Sequence, residues 1–100
     1  MKTTIEELDG KFNVTLEGEL DTAAAVEAEK ALQPLYNTGG KDVIIECKGL
    51  EYIASSGLRI LLSLLKGAMS NGSKVTLRHV NDDIQNVFKL TGFINLFNFE

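Results

Sequence analysis

The sequence predicts a small α/β fold: a mostly parallel sheet of about four strands with an antiparallel edge strand, and about three to four helices. Three observations carry this expectation. Asp9-Gly10 stands between two strand-like runs and reads as a hairpin turn, because both turn positions need positive φ. Strand-like and helix-like segments then alternate to the end of the chain, the pattern of strand–helix–strand units with right-handed crossovers. Val43 to Cys47 is a β-branched run without strict alternation, which fits a strand covered on both faces.

The elements follow in order. Thr3 to Leu8 and Lys11 to Glu17 are the hairpin arms, and Phe12, Val14 and Leu16 alternate with Asn13, Thr15 and Glu17. That alternation buries one face of the second arm. Gly18-Glu19-Leu20-Asp21 closes the strand, and Asp21 or Thr22 caps a helix reaching to Tyr36. Ala24, Ala28, Ala31, Leu32 and Leu35 form its apolar face, and Pro34 should kink or fray its last turn. Gly39 suits the left-handed position after this helix. Lys48 to Ile53 reads as connection.

The second helix is the most leucine-rich, from Leu58 to Met69. Leu58, Leu61, Leu62, Leu65 and Met69 make its core stripe, and Arg59, Ser63 and Lys66 its polar stripe. Ile60 and Leu64 fall outside the stripe, so either another segment covers them or they form a partner surface. Asn71-Gly72 is a turn and Lys74 to His79 a strand. Asn81 or Asp82 caps a third helix from Asp83 to Leu90, with Ile84, Val87, Phe88 and Thr91 as its spine. Gly92 ends that helix, and the apolar tail after it, Phe93 to Phe99, should pack back on the body.

Ser55, Ser56 and Gly57 open the second helix. Serine is a preferred N-cap, because its oxygen accepts from an otherwise unpaired helix amide. The two serines are therefore either caps or residues that are modified or contacted. In a parallel sheet the strand C-termini and helix N-termini share one rim. Glu19 to Asp21, Tyr52 to Gly57 and His79 to Asp82 should meet there, bringing Asp21 near Ser55.

The totals narrow the class of protein. One hundred residues suffice for a single domain over 1–100 with one core, and 44% hydrophobic with 24% charged residues is ordinary for a folded soluble chain. A net charge of −4 argues against a general binder of nucleic acid or anionic membrane. The lone Cys47 has no internal partner and reads as a buried thiol. Met1 to Glu7 is polar and charged, unlike a secretory leader, and the apolar stretch around Ile60 to Leu65 is too short to span a bilayer. A cytoplasmic protein is expected.

Enzyme chemistry finds little support. A nucleophile elbow needs glycine where Ile53 stands, and His79 is the only histidine available as a base. Gly67 to Lys74 reads Gly-x4-Gly-Ser-Lys, a phosphate loop with its last residues reversed, and it follows a helix instead of a strand. There is no Cys/His cluster for a metal, and no cofactor is expected.

Gly18-Glu19-Leu20-Asp21 after a strand and Ser55-Ser56-Gly57-Leu58 opening a helix resemble the STAS domain. Gly49 to Ile53 and Leu90-Thr91-Gly92-Phe93 extend the resemblance over essentially the whole chain. The resemblance implies a non-enzymatic STAS fold of the bacterial anti-sigma factor antagonist type. Such a protein binds an anti-sigma factor, often one that is also a serine kinase, and phosphorylation abolishes binding. It implies Ser55 as the phosphorylated residue. It implies a partner surface with Asp21, Ala54, Ser55, Ser56, Gly57 and Arg59, on a protein taken to be a monomer. Ala54 stands where many antagonists carry aspartate, so a charged contact to a kinase is absent at that position. Two other classes remain: an accessory STAS subunit or regulator of a transporter or other signalling complex, without phosphorylation, and a small enzyme or nucleotide binder at the Asp21–Ser55 rim. Turnover of ester or nucleotide substrates would single out the last.

Overall fold

A computed structural model describes residues 1–100. The chain opens with the hairpin β1 (Lys2–Leu8) and β2 (Lys11–Leu20), paired antiparallel from Lys2↔Glu17 to Leu8↔Lys11. Asp9 and Gly10 take φ of 54° and 73°, the two left-handed positions that the tight turn requires. Next come α1 (Thr22–Leu32), β3 (Val43–Ile53), α2 (Ser55–Ser70), β4 (Val75–Arg78), α3 (Asp82–Leu90) and β5 (Asn98–Phe99). The sheet runs β1-β2-β3-β4-β5 in sequence order, and every pair after the hairpin is parallel.

The sheet has five strands, one more than expected. The apolar tail packs back as anticipated, with Phe97 and Phe99 each edge-on to Phe88 at 5.5 Å. That packing lays Asn98 and Phe99 beside β4, where the Glu100 amide donates to the Leu77 carbonyl at 2.9 Å.

Lys48 to Ile53 is also strand and not connection. β3 runs on beside the end of β2, from Glu17↔Gly49 to Leu20↔Ile53, after a register shift between Thr15 and Glu17 and with a second between Gly18 and Glu19. Leu50 and Ile53 are buried there. The shifts break the alternation of side chains, which is what hides the strand in the sequence.

Pro34 alters the last turn of the expected helix, which tightens instead of fraying. α1 stops at Leu32, and Gln33–Tyr36 forms a 3-10 turn with the proline in its first positions. Gly67 of α2 fits against that turn so closely that a Cβ would lie 2.1 Å from the Tyr36 carbonyl oxygen. α2 is thus covered on two sides, and Ile60 and Leu64 are buried by neighbours, as one of the two expectations had it. Met69 is the exception in the predicted stripe. It is 64% exposed, and Ala68 takes the inward place in the last turn. Twenty-four buried apolar side chains form one cluster, with Val14, Leu16, Ile45, Leu61, Leu64 and Leu77 among those fully buried. No helix is long and apolar enough to cross a membrane.

Candidate functional site

The site is assembled by backbone pairing at the ends of β2 and β3. Leu20 and Ile53 are the last partners of the two strands, and the Ala54 amide donates to the Leu20 carbonyl at 2.9 Å. Asp21 and Ser55 each follow directly on this junction, so the rim expected from topology brings them together. The third segment arrives one step lower. Asn81 donates its side-chain amide to the Leu50 carbonyl at 3.2 Å, tying it to β3 before the strand ends.

The three helices begin differently. The Asp21 carboxylate accepts from the Ala24 amide at 2.8 Å and caps α1. The Asn81 carbonyl oxygen accepts from the Ile84 amide at 2.8 Å and caps α3. At α2 neither serine caps. Ala54 holds the cap position, with extended backbone at φ −87° and ψ 167°, and makes no side-chain hydrogen bond. Its amide is already committed to the sheet, so the chain turns into the helix at once and Ser55 is the first helical residue. The first amides of α2 therefore lack the side-chain acceptor that the other two helices have.

Each predicted site residue has a definite place. Ser55 is exposed, and Ala54 beside it is half-buried. The Ser56 hydroxyl oxygen is buried and has no hydrogen-bond partner. Gly57 lies beneath the surface: a Cβ on it would come within 2.6 Å of Leu20 Cγ and 3.0 Å of Ile53 Cγ1. The missing side chain lets the first turn of α2 rest on the strand ends, which holds Ser55 at the rim. Arg59 is exposed one turn further on, and no carboxylate lies within 4.0 Å of its guanidinium.

The sequence reading missed a cleft between α1 and α2. It encloses about 410 Å³ and is lined by Thr22, Ala25, Val26, Glu29, Tyr36, Ser56, Arg59, Ile60 and Ser63. It runs from Ser56 along α2 to Ser63. Burial first, and then the nearby Glu29 carboxylate, push the Tyr36 phenol up, against an opposing pull from the Ser63 hydroxyl. The only signal for the cleft was Ile60, which lay outside the predicted stripe.

Three further ionisable groups, His79, Glu46 and Cys47, stand apart from the rim. His79 lies just beyond β4, is exposed, takes φ of 55° and sets Nδ1 2.8 Å from the Glu46 carboxylate. Burial works to raise the Glu46 carboxyl. The His79 hydrogen bond, the Lys48 amide and the charges of His79 and Arg78 outweigh it and hold the group below the usual range. Cys47 is a buried free thiol, pushed up to about 12 by burial and then by Glu46, and is unreactive in that state.

A rim of strand ends with an exposed serine at a helix start, on a mixed five-stranded sheet, defines a class of small α/β fold. The STAS domain pattern matches residues 2–100, and the chain belongs to the STAS domain family. BtrV of Bordetella bronchiseptica is 29% identical over 97 residues, covering 97% of this chain and 84% of that protein. The anti-sigma-B factor antagonist of Staphylococcus aureus is 30% identical over 88 residues, covering 88% of this chain and 82% of that protein. Among solved structures, the anti-sigma factor antagonist SpoIIAA in its unphosphorylated form superposes with a TM-score of 0.82. That match spans 99% of this chain and 88% of SpoIIAA at 18% identity, a likeness of fold.

Proposed function

We propose that this protein is a cytoplasmic anti-sigma factor antagonist that acts by binding, not by catalysis. Its partner is an anti-sigma factor that is also a serine kinase, and phosphorylation of Ser55 switches the binding off. The docking surface comprises Asp21, Ala54, Ser55, Ser56 and Arg59, with Gly57 beneath them holding the first turn of α2 in place. The observation that carries this reading is the Ala54 amide bonded to the Leu20 carbonyl at 2.9 Å, which sets Ser55 beside Asp21 on one rim. The relatives named for antagonism of anti-sigma factors support the partner class.

The switch is local. A phosphoserine carries roughly −1.5 to −2 charges at neutral pH. The uncapped start of α2 tolerates that charge, because the helix dipole is positive there. Docking does not tolerate it: the dianion must lose its water and face Asp21 and any acid of the partner. Recognition by the kinase rests on backbone and hydroxyl at Ala54–Ser55, since Ala54 offers no charge.

The test is the affinity of wild type, Ser55→Ala and Ser55→Asp for an anti-sigma factor of the same host. Ser55→Ala should bind within a few-fold of wild type. Ser55→Asp should lose about tenfold or more, roughly 1.4 kcal/mol. Equal, undiminished affinity of both variants would sink the switch.

A further inference from the structure

Arg59 is the fourth residue after Ser55 on α2, and both side chains are exposed. Residues so spaced stand on one helix face with Cβ atoms roughly 5–6 Å apart. Helical side chains tilt toward the N-terminus, so Arg59 leans back over the turn that carries Ser55. Its guanidinium is uncommitted: the ion pairs of the chain use Lys30, Lys41 and His79. No carboxylate pairs with it. Asp21 caps α1, and Glu29 sits across the cleft without forming an ion pair to Arg59. The next cation along the helix, Lys66, stands eleven positions beyond Ser55 (66 against 55), roughly 16 Å down the axis.

We infer that Arg59 is the internal counter-ion of a phosphate on Ser55, so that phosphorylation adds negative charge to the rim and withdraws its free cation in one step. The inference rests on the reading of Ser55 as the phosphorylated residue. A guanidinium fork matches phosphate oxygens in a bidentate way that a carboxylate across the cleft cannot displace, because the phosphate bears the larger charge. In the unmodified protein the same guanidinium is free to meet a carboxylate, so the partner surface opposite Arg59 is acidic. After phosphorylation that carboxylate faces an arginine–phosphate pair of net negative charge, about −1 where a charge of +1 stood before.

The test needs no partner. Phosphoserine is encoded at position 55, and the second ionisation of the phosphate, which lies near pH 6 for a free phosphoserine, is followed by phosphorus NMR. Arg59→Gln should raise that pKa by about 0.4 of a pH unit relative to wild type, the size expected of one helical ion pair. Arg59→Lys should recover part of the shift, and Lys66→Gln should leave the titration where it was. A titration unmoved by Arg59→Gln, or moved as much by Lys66→Gln, overturns the counter-ion. Failure of Ser55 phosphorylation in the host would fall on the proposed function alone, because the encoded phosphate is titrated regardless.

Discussion

The starts of α1 and α3 differ from the start of α2, and the difference separates stability from function. Asp21 and Asn81 each give a side-chain oxygen to an amide in the first turn, and Asp82 and Asp83 add charge of the favourable sign at α3. These two helix starts are closed local units. The start of α2 has an alanine at its cap and an unpartnered serine oxygen at its second residue, Ser56. Its stability comes from elsewhere: Leu58, Leu61, Leu64, Leu65 and Ala68 are buried along its length, and Gly57 seats it on the strand ends. A helix held by its core can leave its first turn chemically open. The open turn is the one beside the exposed Ser55.

The largest break in this comparison is Gly57→Ala. The added methyl would lie 2.6 Å from Leu20 Cγ and 2.9 Å from Cδ2, so either Leu20 leaves its place in the core or the first turn of α2 lifts away. The expected cost is about 2–3 kcal/mol in urea unfolding, from overpacking. Partner affinity should fall with it if the rim depends on that seat. A stability loss below about 0.5 kcal/mol would mean that the helix start does not rest on the strand ends as described.

A smaller effect follows from exchanging the caps. Asp21→Ala should cost about 1 kcal/mol, whereas Asp21→Asn should keep most of that stability because asparagine caps nearly as well. The pair separates capping from charge: any loss of partner affinity in Asp21→Asn reports the carboxylate alone. Ala54→Asp should move the other way, gaining up to about 1 kcal/mol by giving α2 the acceptor it lacks. Thermal and urea unfolding of the three variants measure both halves. No gain from Ala54→Asp would show that the amides of α2 are satisfied without a side chain.

Much of the fold was legible because it is local. Asp9-Gly10, Asn81 and the glycines after helices act within a few residues, and their conformations follow from side-chain chemistry alone. The meeting of Asp21 and Ser55 was legible too, because a parallel sheet puts strand ends on one rim. The failures share a non-local cause. The second half of β3 depends on a shifted register with β2, and β5 depends on Phe99 packing against Phe88. The serine caps failed by one residue, since only the sheet bond of Ala54 decides where α2 begins. The α1–α2 cleft needed Tyr36, which reaches it only because Gln33–Tyr36 forms a 3-10 turn.

The smallest expected effect lies away from all three helix starts, at Glu46 and His79. The Glu46 carboxyl is held below its usual range, so it binds protons less readily folded than unfolded. Its contribution to stability is therefore present above the unfolded carboxylate pKa and is lost as pH falls through the lower, folded value. The pair is partly exposed and screened by solvent, which keeps the contribution small. Glu46→Gln should lower the melting temperature slightly at neutral pH and flatten its fall in acid, with wild type and variant converging at low pH. His79→Gln should do much the same, because it removes the hydrogen bond that holds Glu46 down. Neither change touches Asp21, Ala54 or Ser55, so partner affinity should be unmoved in both. A loss of affinity in Glu46→Gln would extend the docking surface to this corner, and the division between a closed scaffold and one open helix start would no longer hold.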